Sequence, residues 1–276
     1  MFMELIEHNN MLEKMKRGEP VLGYQVRSRS TLIAELVAYC GLDYVFIESE
    51  HFVYNIETAE NVIRAVQLGG SVPIVRIPSH ESGLILQMLE AGVMGIIFPH
   101  IDTKEQAIFA VNEVKYAPIG KRGFGDAARA SKYGFVPTKD YLRYANENLM
   151  VIGMIESLEG ISNLDSILTS GIDVLRVGSR DLSQDMGYGG EVTKEVVEAV
   201  DFICRNIKGS DVILGDCGLG GMTSLEDFQR SYERGCRMFT VGSDMASIKK
   251  ALMVSVSNFA GYKVNFLKEH PNRWQV

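Results

Sequence analysis

The sequence predicts an α/β fold, a (β/α)8 TIM barrel with a C-terminal helical extension. The chain has 276 residues, and about 250 residues is typical of such a barrel. From Val21 onward, short runs rich in Val, Ile and Phe alternate with longer segments of helical period. That alternation is typical of repeated βα units around a parallel sheet. No Pro/Ser-rich linker, low-complexity tract or charge block interrupts it, so we expect one domain over residues 1–276.

The elements are predicted from apolar runs and helix-capping signals. Thr103 and Gln106 have capping-box spacing, and Thr223 with Glu226 repeats it. Each pair predicts that a helix begins there. The apolar runs predict eight strands, near residues 21–26, 43–48, 72–77, 94–98, 151–155, 174–178, 212–216 and 237–241.

Composition excludes several classes of partner. The formal net charge of −7 argues against a nucleic-acid or anionic-membrane surface, since each needs a basic footprint. No apolar run approaches the roughly 20 residues that cross a bilayer, and the amino terminus lacks the pattern of a signal peptide. The four cysteines form no CxxC pair, which favours reduced, buried thiols. We expect a cytoplasmic protein that binds small metabolites.

Two segments do not fit the alternation of strands and helices. Residues 116–141 are longer than a usual βα connection of about 2–6 residues, and their stretch from Gly120 to Gly125 has the glycines and positive charges of an anion cradle. A structural loop is the alternative. Residues 248–276 are expected to form a C-terminal helix and tail. Apolar side chains there, including Trp274, suit a subunit contact, and a frayed terminus is the equally weighted alternative.

Two carboxylates follow the fifth and sixth predicted strands. Glu156 comes directly after one apolar run, and Asp181 follows the next. In parallel α/β proteins the C-terminal ends of the strands carry the chemistry. Asp181 is also well placed to cap the following helix, but two acids on adjacent strands favour a shared cation. Carboxylates suit Mg2+ or Mn2+ rather than structural Zn2+.

A histidine beside two acids follows the second strand. The apolar run ends abruptly, so Glu48, Glu50 and His51 crowd one rim. Carboxylates near an imidazole can tune its pKa for general-base work near neutrality. We therefore expect a functional His51, with its tautomer held by Glu48 or Glu50.

Arg76 ends the third strand. A guanidinium there can pair with a neighbouring acid or bind a substrate carboxylate in bidentate fashion, and a metal site nearby favours substrate contact. His80 and His100 also follow strands. Without partners in the sequence, both are expected to be rim residues.

Taken together, these motifs resemble the HpcH/HpaI aldolase family, the metal-dependent pyruvate aldolases of the phosphoenolpyruvate/pyruvate barrel superfamily. The resemblance covers nearly the whole chain, from about Val21 to Ile248. It implies a (β/α)8 barrel, usually a hexamer built as a trimer of dimers, whose last helix is exchanged between subunits. The motifs that carry it are E-x-E-H ending at His51, V-R-x-P with Arg76, IIFPHIDTKEQA (96–107), GKRGFG with the ARAS that follows, I-E-S with Glu156, and G-x-x-D-L-S with Asp181.

The resemblance also implies roles for these residues. It places a divalent ion (Mg2+, Mn2+ or Co2+) on Glu156 and Asp181, and assigns Arg76 to pyruvate and its enolate. It makes His51 the base, oriented by the acid three residues before it, Glu48. The implied reaction cleaves a 4-hydroxy-2-keto acid to pyruvate and an aldehyde, or condenses the two.

This chain departs from the family pattern around the expected substrate site. Gln25 stands where the family has a tryptophan, Met154 replaces a glutamine, and Ser179 and Arg180 replace small residues. With Gly178, these residues are expected to line the substrate site.

The added positive charge has two interpretations. Arg27, Arg29 and Arg180 favour a dianionic or phosphorylated ligand, or they pair with Glu48 and Glu50. Three hypotheses follow: the aldolase, a lyase or hydrolase of the same superfamily acting on a CoA thioester, phosphonate or enol-pyruvate ester, and a non-catalytic barrel that binds keto acids.

Overall fold

The computed structural model describes residues 9–219 and 224–269, with only the backbone described for 262–268. Eight parallel strands form one sheet in the order β7-β6-β5-β4-β3-β2-β1-β8. The strands are β1 (Val21–Val26), β2 (Tyr44–Glu48), β3 (Val72–Arg76), β4 (Gly95–Phe98), β5 (Met150–Ile155), β6 (Val174–Val177), β7 (Ile213–Leu214) and β8 (Met238–Ser243). All eight lie within or overlap the predicted runs.

Helices follow the strands as the alternating pattern predicts. The helix that opens with Thr103 has a complete capping box with Gln106, which confirms that prediction. The second box lies one residue later than predicted, on Ser224 and Asp227, and Thr223 lies outside the described residues. The helices are α1 (Asn10–Lys16), α2 (Thr31–Tyr39), α3 (Ile56–Leu68), α4 (Ser82–Glu90), α5 (Lys104–Val114), α6 (Thr138–Asn148), α7 (Leu158–Ser162), α8 (Leu164–Ile167), α9 (Ser179–Asp185), α10 (Lys194–Lys208), α11 (Leu225–Arg234) and α12 (Asp244–Glu269).

The sheet is curled, so its two ends approach each other. β8 pairs with β1 in parallel. On its other side, the Arg237 N–H donates to Leu214 O at 2.9 Å and the Met238 N–H to Gly215 O at 3.5 Å. The C-terminal ends of the strands therefore meet at one rim.

The inner face of the curled sheet is packed with apolar side chains. Successive residues of a strand point to opposite faces, and β5 accordingly sends Met150, Ile152 and Met154 inward. Its intervening residues Val151 and Ile155 join the larger outer cluster beneath the helices. Met11, Leu12 and Met15 of α1 pack into the same inner cluster.

The long segment between α5 and α6 has a structural centre. It contains a 3-10 helix at Arg129–Gly134. Arg122 is buried, pairs with Glu90 at 2.8 Å, and lies 4.5 Å from the centroid of the Tyr116 ring. Of the two interpretations of this segment, these contacts favour the structural loop for Arg122, because its guanidinium points into the protein.

The last helix runs over Asp244–Glu269. It leaves apolar side chains such as Leu252, Met253 and Phe259 exposed. The tail that follows, with His270 and Trp274, lies outside the described residues, as does His8. Across residues 9–219 and 224–269, we found no helix with the length and apolar character that a membrane crossing requires.

Gly23 is expected to be essential for inner packing. A Cβ added there would lie 2.3 Å from the ring of Tyr44, which is fully buried. Gly23→Ala should lower the free energy of unfolding by about 1–3 kcal/mol, the usual cost of overpacking a core. Gly83→Ala is the matched control, because nothing lies within 4 Å of its added Cβ. Denaturant unfolding measures both; equal stability of the two variants would contradict this packing.

Candidate active site

Mostly polar side chains follow the apolar inner cluster at the C-terminal rim of the sheet. Gln25, Arg76, Met154 and Arg176 come from four different strands and line one cavity of about 360 Å³. Each continues the inward-facing alternation of its strand. The strand ends therefore deliver these side chains to a common space.

Glu48 and Arg76 form a buried ion pair at this rim. The Arg76 Nε donates to Glu48 Oε2 at 3.0 Å, and its Nη2 contacts the same oxygen. Gln25 donates to Glu48 Oε2 at 2.7 Å, and Glu50 Oε2 lies 2.9 Å from Arg76 Nε. Burial alone would lower the pKa of Arg76, but Glu48 and Glu50 hold that pKa above its ordinary value. Arg76 is therefore a permanent cation braced by two acids.

Of the two acids expected beside His51, Glu50 is the one near its ring. The His51 Nε2 lies 3.6 Å from Glu50 Oε2, and the imidazole side chain is 62% exposed. Glu48 instead accepts the backbone N–H groups of Glu50 and His51 at 3.0 and 3.4 Å. Glu48 thus holds the loop backbone, and the base role of His51 stays a prediction.

Glu156 is a buried carboxylate with one unsatisfied oxygen. Its residue is 3% exposed. Oε1 accepts the backbone N–H of His100 at 2.8 Å, whereas Oε2 is buried and has no hydrogen-bond partner among the residues that the structure describes. Burial raises the pKa of Glu156, His100 opposes that rise, and the negative charges of Asp181 and Glu50 add to it. Such an oxygen has unmet capacity for a cation.

Gly178 and Asp181 lie beside this carboxylate. A Cβ on Gly178 would come 2.3 Å from Glu156 Oε2, so a side chain at this position would displace that oxygen. Asp181, in the first turn of α9, lines the 360 Å³ cavity and also a second cavity of about 430 Å³ that contains Glu156 and His100.

The donor chemistry fits a divalent cation. Mg2+ commonly takes one or two carboxylates and keeps several waters or substrate oxygens, and Glu156 with Asp181 supplies two carboxylates. Within the described part of the chain, no group of three or more His, Cys, Asp and Glu side chains is placed to hold an ion by itself.

The other predicted substrate residues lie around the first cavity. Gln25, Met154, Gly178, Ser179 and Arg180 all line it. The Ser179 hydroxyl donates to the backbone oxygen of Gly218, which ties the start of α9 to the segment after β7. Their contacts with substrate remain predictions.

Two residues of the site were missed by sequence reasoning. His100, expected only at the rim, places its Nδ1 3.4 Å from Glu156 Oε1 and adopts a left-handed φ of 51°. Arg176 was counted simply as part of an apolar strand, yet it is buried in the cavity wall beside Asp216. An arginine within the run VLRV was the available signal.

Comparisons with known proteins agree with this architecture. A family model described as HpcH/HpaI aldolase/citrate lyase matches residues 23–251. The chain is 31% identical over 248 residues to a hydroxypyruvate/pyruvate aldolase of Delftia acidovorans, covering 89% of this chain and 90% of that one. It is 31% identical over 258 residues to a 4-hydroxy-2-oxo-heptane-1,7-dioate aldolase of Escherichia coli, covering 91% and 95%. Among solved structures, citrate synthase SbnG matches with a TM-score of 0.82 at 28% identity, covering 92% of this chain and 99% of that chain.

The raised pKa of Glu156 predicts a pH-dependent cost to stability. Below about pH 4.5, its ordinary pKa, the carboxyl is protonated both folded and unfolded. As pH rises through the folded-state pKa, burying the ionised form costs stability. In chelator, Glu156→Gln should therefore match wild type near pH 4 and melt at a higher temperature at pH 8.

The control is Glu159→Gln, which removes an exposed carboxylate from α7. Thermal unfolding from pH 4 to pH 8 should show the control following wild type. A wild type that melts above Glu156→Gln at pH 8 would contradict the strained burial of this carboxylate.

Proposed function

Because the chain belongs to the HpcH/HpaI aldolase/citrate lyase family, we propose that it is a metal-dependent carbon–carbon lyase. Its proposed reaction cleaves a 4-hydroxy-2-keto acid to pyruvate and an aldehyde, or condenses the two. The observation that carries the proposal is the buried, unpartnered Glu156 Oε2, with Asp181 beside it in a cavity next to the one that contains Arg76.

In this proposal Glu156 and Asp181 hold a divalent ion, Mg2+, Mn2+ or Co2+. The bound ion supplies Lewis acidity, which stabilises negative charge on a keto oxygen. Gly178 supports the assignment because its lack of a side chain leaves the space that Glu156 Oε2 occupies. His100 supports it by anchoring the other oxygen through its backbone N–H.

Arg76 is proposed to bind the keto acid and to stabilise the enolate that forms. A preorganised cation aimed at developing charge needs no rearrangement during the reaction. Glu48 and Gln25 supply that preorganisation, since together they fix the guanidinium at the strand end. The Nη1 group, 3.7 Å from the Met154 sulfur, faces only a weak acceptor and is available for substrate.

His51 is proposed as the base. It removes the proton from the 4-hydroxyl, and the oxygen forms the aldehyde carbonyl as the C3–C4 bond breaks. The electron pair of that bond becomes the enolate of pyruvate, which then takes up a proton at C3. Glu50, 3.6 Å from the ring, stabilises the imidazolium that forms.

The wider expectations belong to the same proposal. Relatives named for pyruvate, hydroxypyruvate and 4-hydroxy-2-oxo-heptane-1,7-dioate support small keto acids and aldehydes as substrates. The curled sheet supports a closed (β/α)8 barrel forming one domain, and the exposed apolar face of α12 supports a homo-oligomer. We further propose a cytoplasmic hexamer with α12 and the tail in its subunit contacts.

Aldol cleavage should depend on the metal and on both carboxylates. Chelated wild type should lose turnover and regain it with Mn2+ or Mg2+, and Glu156→Gln or Asp181→Asn should reduce kcat/KM by about a thousandfold or more. Gly178→Ala should weaken metal affinity by displacing Glu156. Pyruvate release from 4-hydroxy-2-keto acids and deuterium exchange of the pyruvate methyl group measure these effects.

Glu159→Gln is the control, because it removes an exposed acid outside the cavities. Full turnover in excess chelator would contradict the proposal. Cleavage of a CoA thioester or enol-pyruvate ester without pyruvate exchange would favour the alternative lyase or hydrolase. Binding of a keto acid without turnover would favour the non-catalytic barrel.

The two histidines at the rim distinguish the proposed base from an alternative. His51→Asn should lower kcat by about a hundredfold to ten-thousandfold, the usual contribution of a general base, with little change in metal affinity. His100→Asn keeps the backbone N–H that holds Glu156 and should retain most turnover. The reverse result, with loss confined to His100→Asn, would transfer the base role to His100.

A further inference from the structure

Arg176 is an unusual residue for the inside of a sheet. It lies on β6, and its side chain is 9% exposed. Among residues 9–219 and 224–269, the one acid that pairs with it is Asp216, whose Oδ2 lies 3.3 Å from Nη2. Nε and Nη1 are buried and have no hydrogen-bond partner in the described part of the chain. Since buried donors are normally satisfied, three N–H groups of this guanidinium need an acceptor.

Arg176 and Arg76 line the same cavity and share two neighbours, Phe46 and Met154. The guanidinium carbons lie 5.1 Å and 5.8 Å from the centroid of the Phe46 ring. Met154 is the register partner of Arg176 on β5, and its sulfur lies 3.7 Å from Arg76 Nη1. Both arginines line the 360 Å³ cavity. Two cations therefore flank one small space.

The two arginines differ in their local charge balance. Arg76 is braced by two acids, Glu48 and Glu50. Arg176 has one, Asp216, whose other oxygen already accepts the Gly218 N–H at 2.8 Å. The cavity wall as a whole contains four arginines against two aspartates. Of the two buried arginines, Arg176 is therefore the one with less of its positive charge neutralised.

Arg176 also lies deeper than the proposed metal ligands. It precedes Gly178, the neighbour of Glu156, by two residues on the same face of β6. Two residues of a strand span about 7 Å. The backbone of Arg176 is therefore set back from the rim by about that distance.

We propose that Arg176 is a specificity-determining residue that binds a second acidic group of the substrate. The substrate class is then a 2-keto acid or its aldol that carries an additional carboxylate or phosphoryl group. This inference rests on the proposed function, because it assumes that the keto-acid end occupies the rim at Arg76. Of the three arginines expected to make the site cationic, Arg27 and Arg180 line the cavity, and Arg176 adds a buried cation to them.

Binding of monoanionic and dianionic keto acids tests the proposal. Calorimetric titration of the Mn2+-loaded protein would use pyruvate as the monoacid and 2-oxoglutarate, 2-oxoadipate and 3-phosphonopyruvate as the diacids. Wild type should bind at least one diacid about tenfold to a hundredfold tighter than pyruvate, the range of a charge-assisted hydrogen bond. The tightest probe shows whether the group is a carboxylate or a phosphoryl group.

Three variants of Arg176 isolate its contribution. Arg176→Met should abolish the diacid preference and leave pyruvate affinity within about threefold of wild type, and Arg176→Lys should retain part of the preference. Because Arg176→Met leaves Asp216 buried and unpaired, the double variant Arg176→Met/Asp216→Asn repeats the test with no unpaired acid. Arg64→Met is the control: it removes one positive charge from an exposed pair with Glu60 on α3 and should keep the full preference.

Each other outcome has a defined meaning. A wild type that binds pyruvate but no diacid more tightly overturns the role of Arg176 and leaves the proposed function intact. A folded double variant that keeps the preference, or loses affinity for pyruvate and diacids alike, also overturns it. A wild type that binds none of the four probes overturns this inference and contradicts the proposed function as well.

Discussion

The buried pair of Glu48 and Arg76 is the interaction on which the site depends. Both side chains come from strand ends that point into the curled sheet, where an isolated charge would be very costly. The pair is tolerable because each partner is hydrogen-bonded, with Gln25 and the backbone N–H groups of the following loop satisfying Glu48. One ion pair thereby links three strands and orders the loop that carries His51.

Toward the N-terminal ends of the strands the inner face of the sheet is apolar, and the proposed catalytic residues lie at the C-terminal rim. Met150, Ile152 and Met154 of β5 fill the interior. Glu156, which follows the strand and continues the same alternation, is charged. Unlike Glu48, Glu156 has an oxygen without a partner. The contrast separates a structural carboxylate from one whose environment favours a bound cation.

Much of this arrangement could be predicted from the sequence. The strands β1 to β6 begin and end within one residue of the predicted runs, because their apolar residues are continuous and bounded by polar turns. The positions of Glu156 and Asp181 after neighbouring strands predicted that they would lie near each other. The capping box at Ser224 was placed one residue early because Thr223 and Glu226 have the same spacing as the true pair.

The sequence by itself determined which residues reach the C-terminal rim, since strand period and strand ends are local properties of the chain. Only the tertiary structure decided which of them meet. Glu50 rather than Glu48 lies beside the His51 ring, His100 reaches Glu156 from the loop after β4, and Arg176 lines the same cavity as Arg76. Such pairings depend on the curl of the sheet and on competition among charges for partners, and neither is encoded in the spacing of residues along one strand.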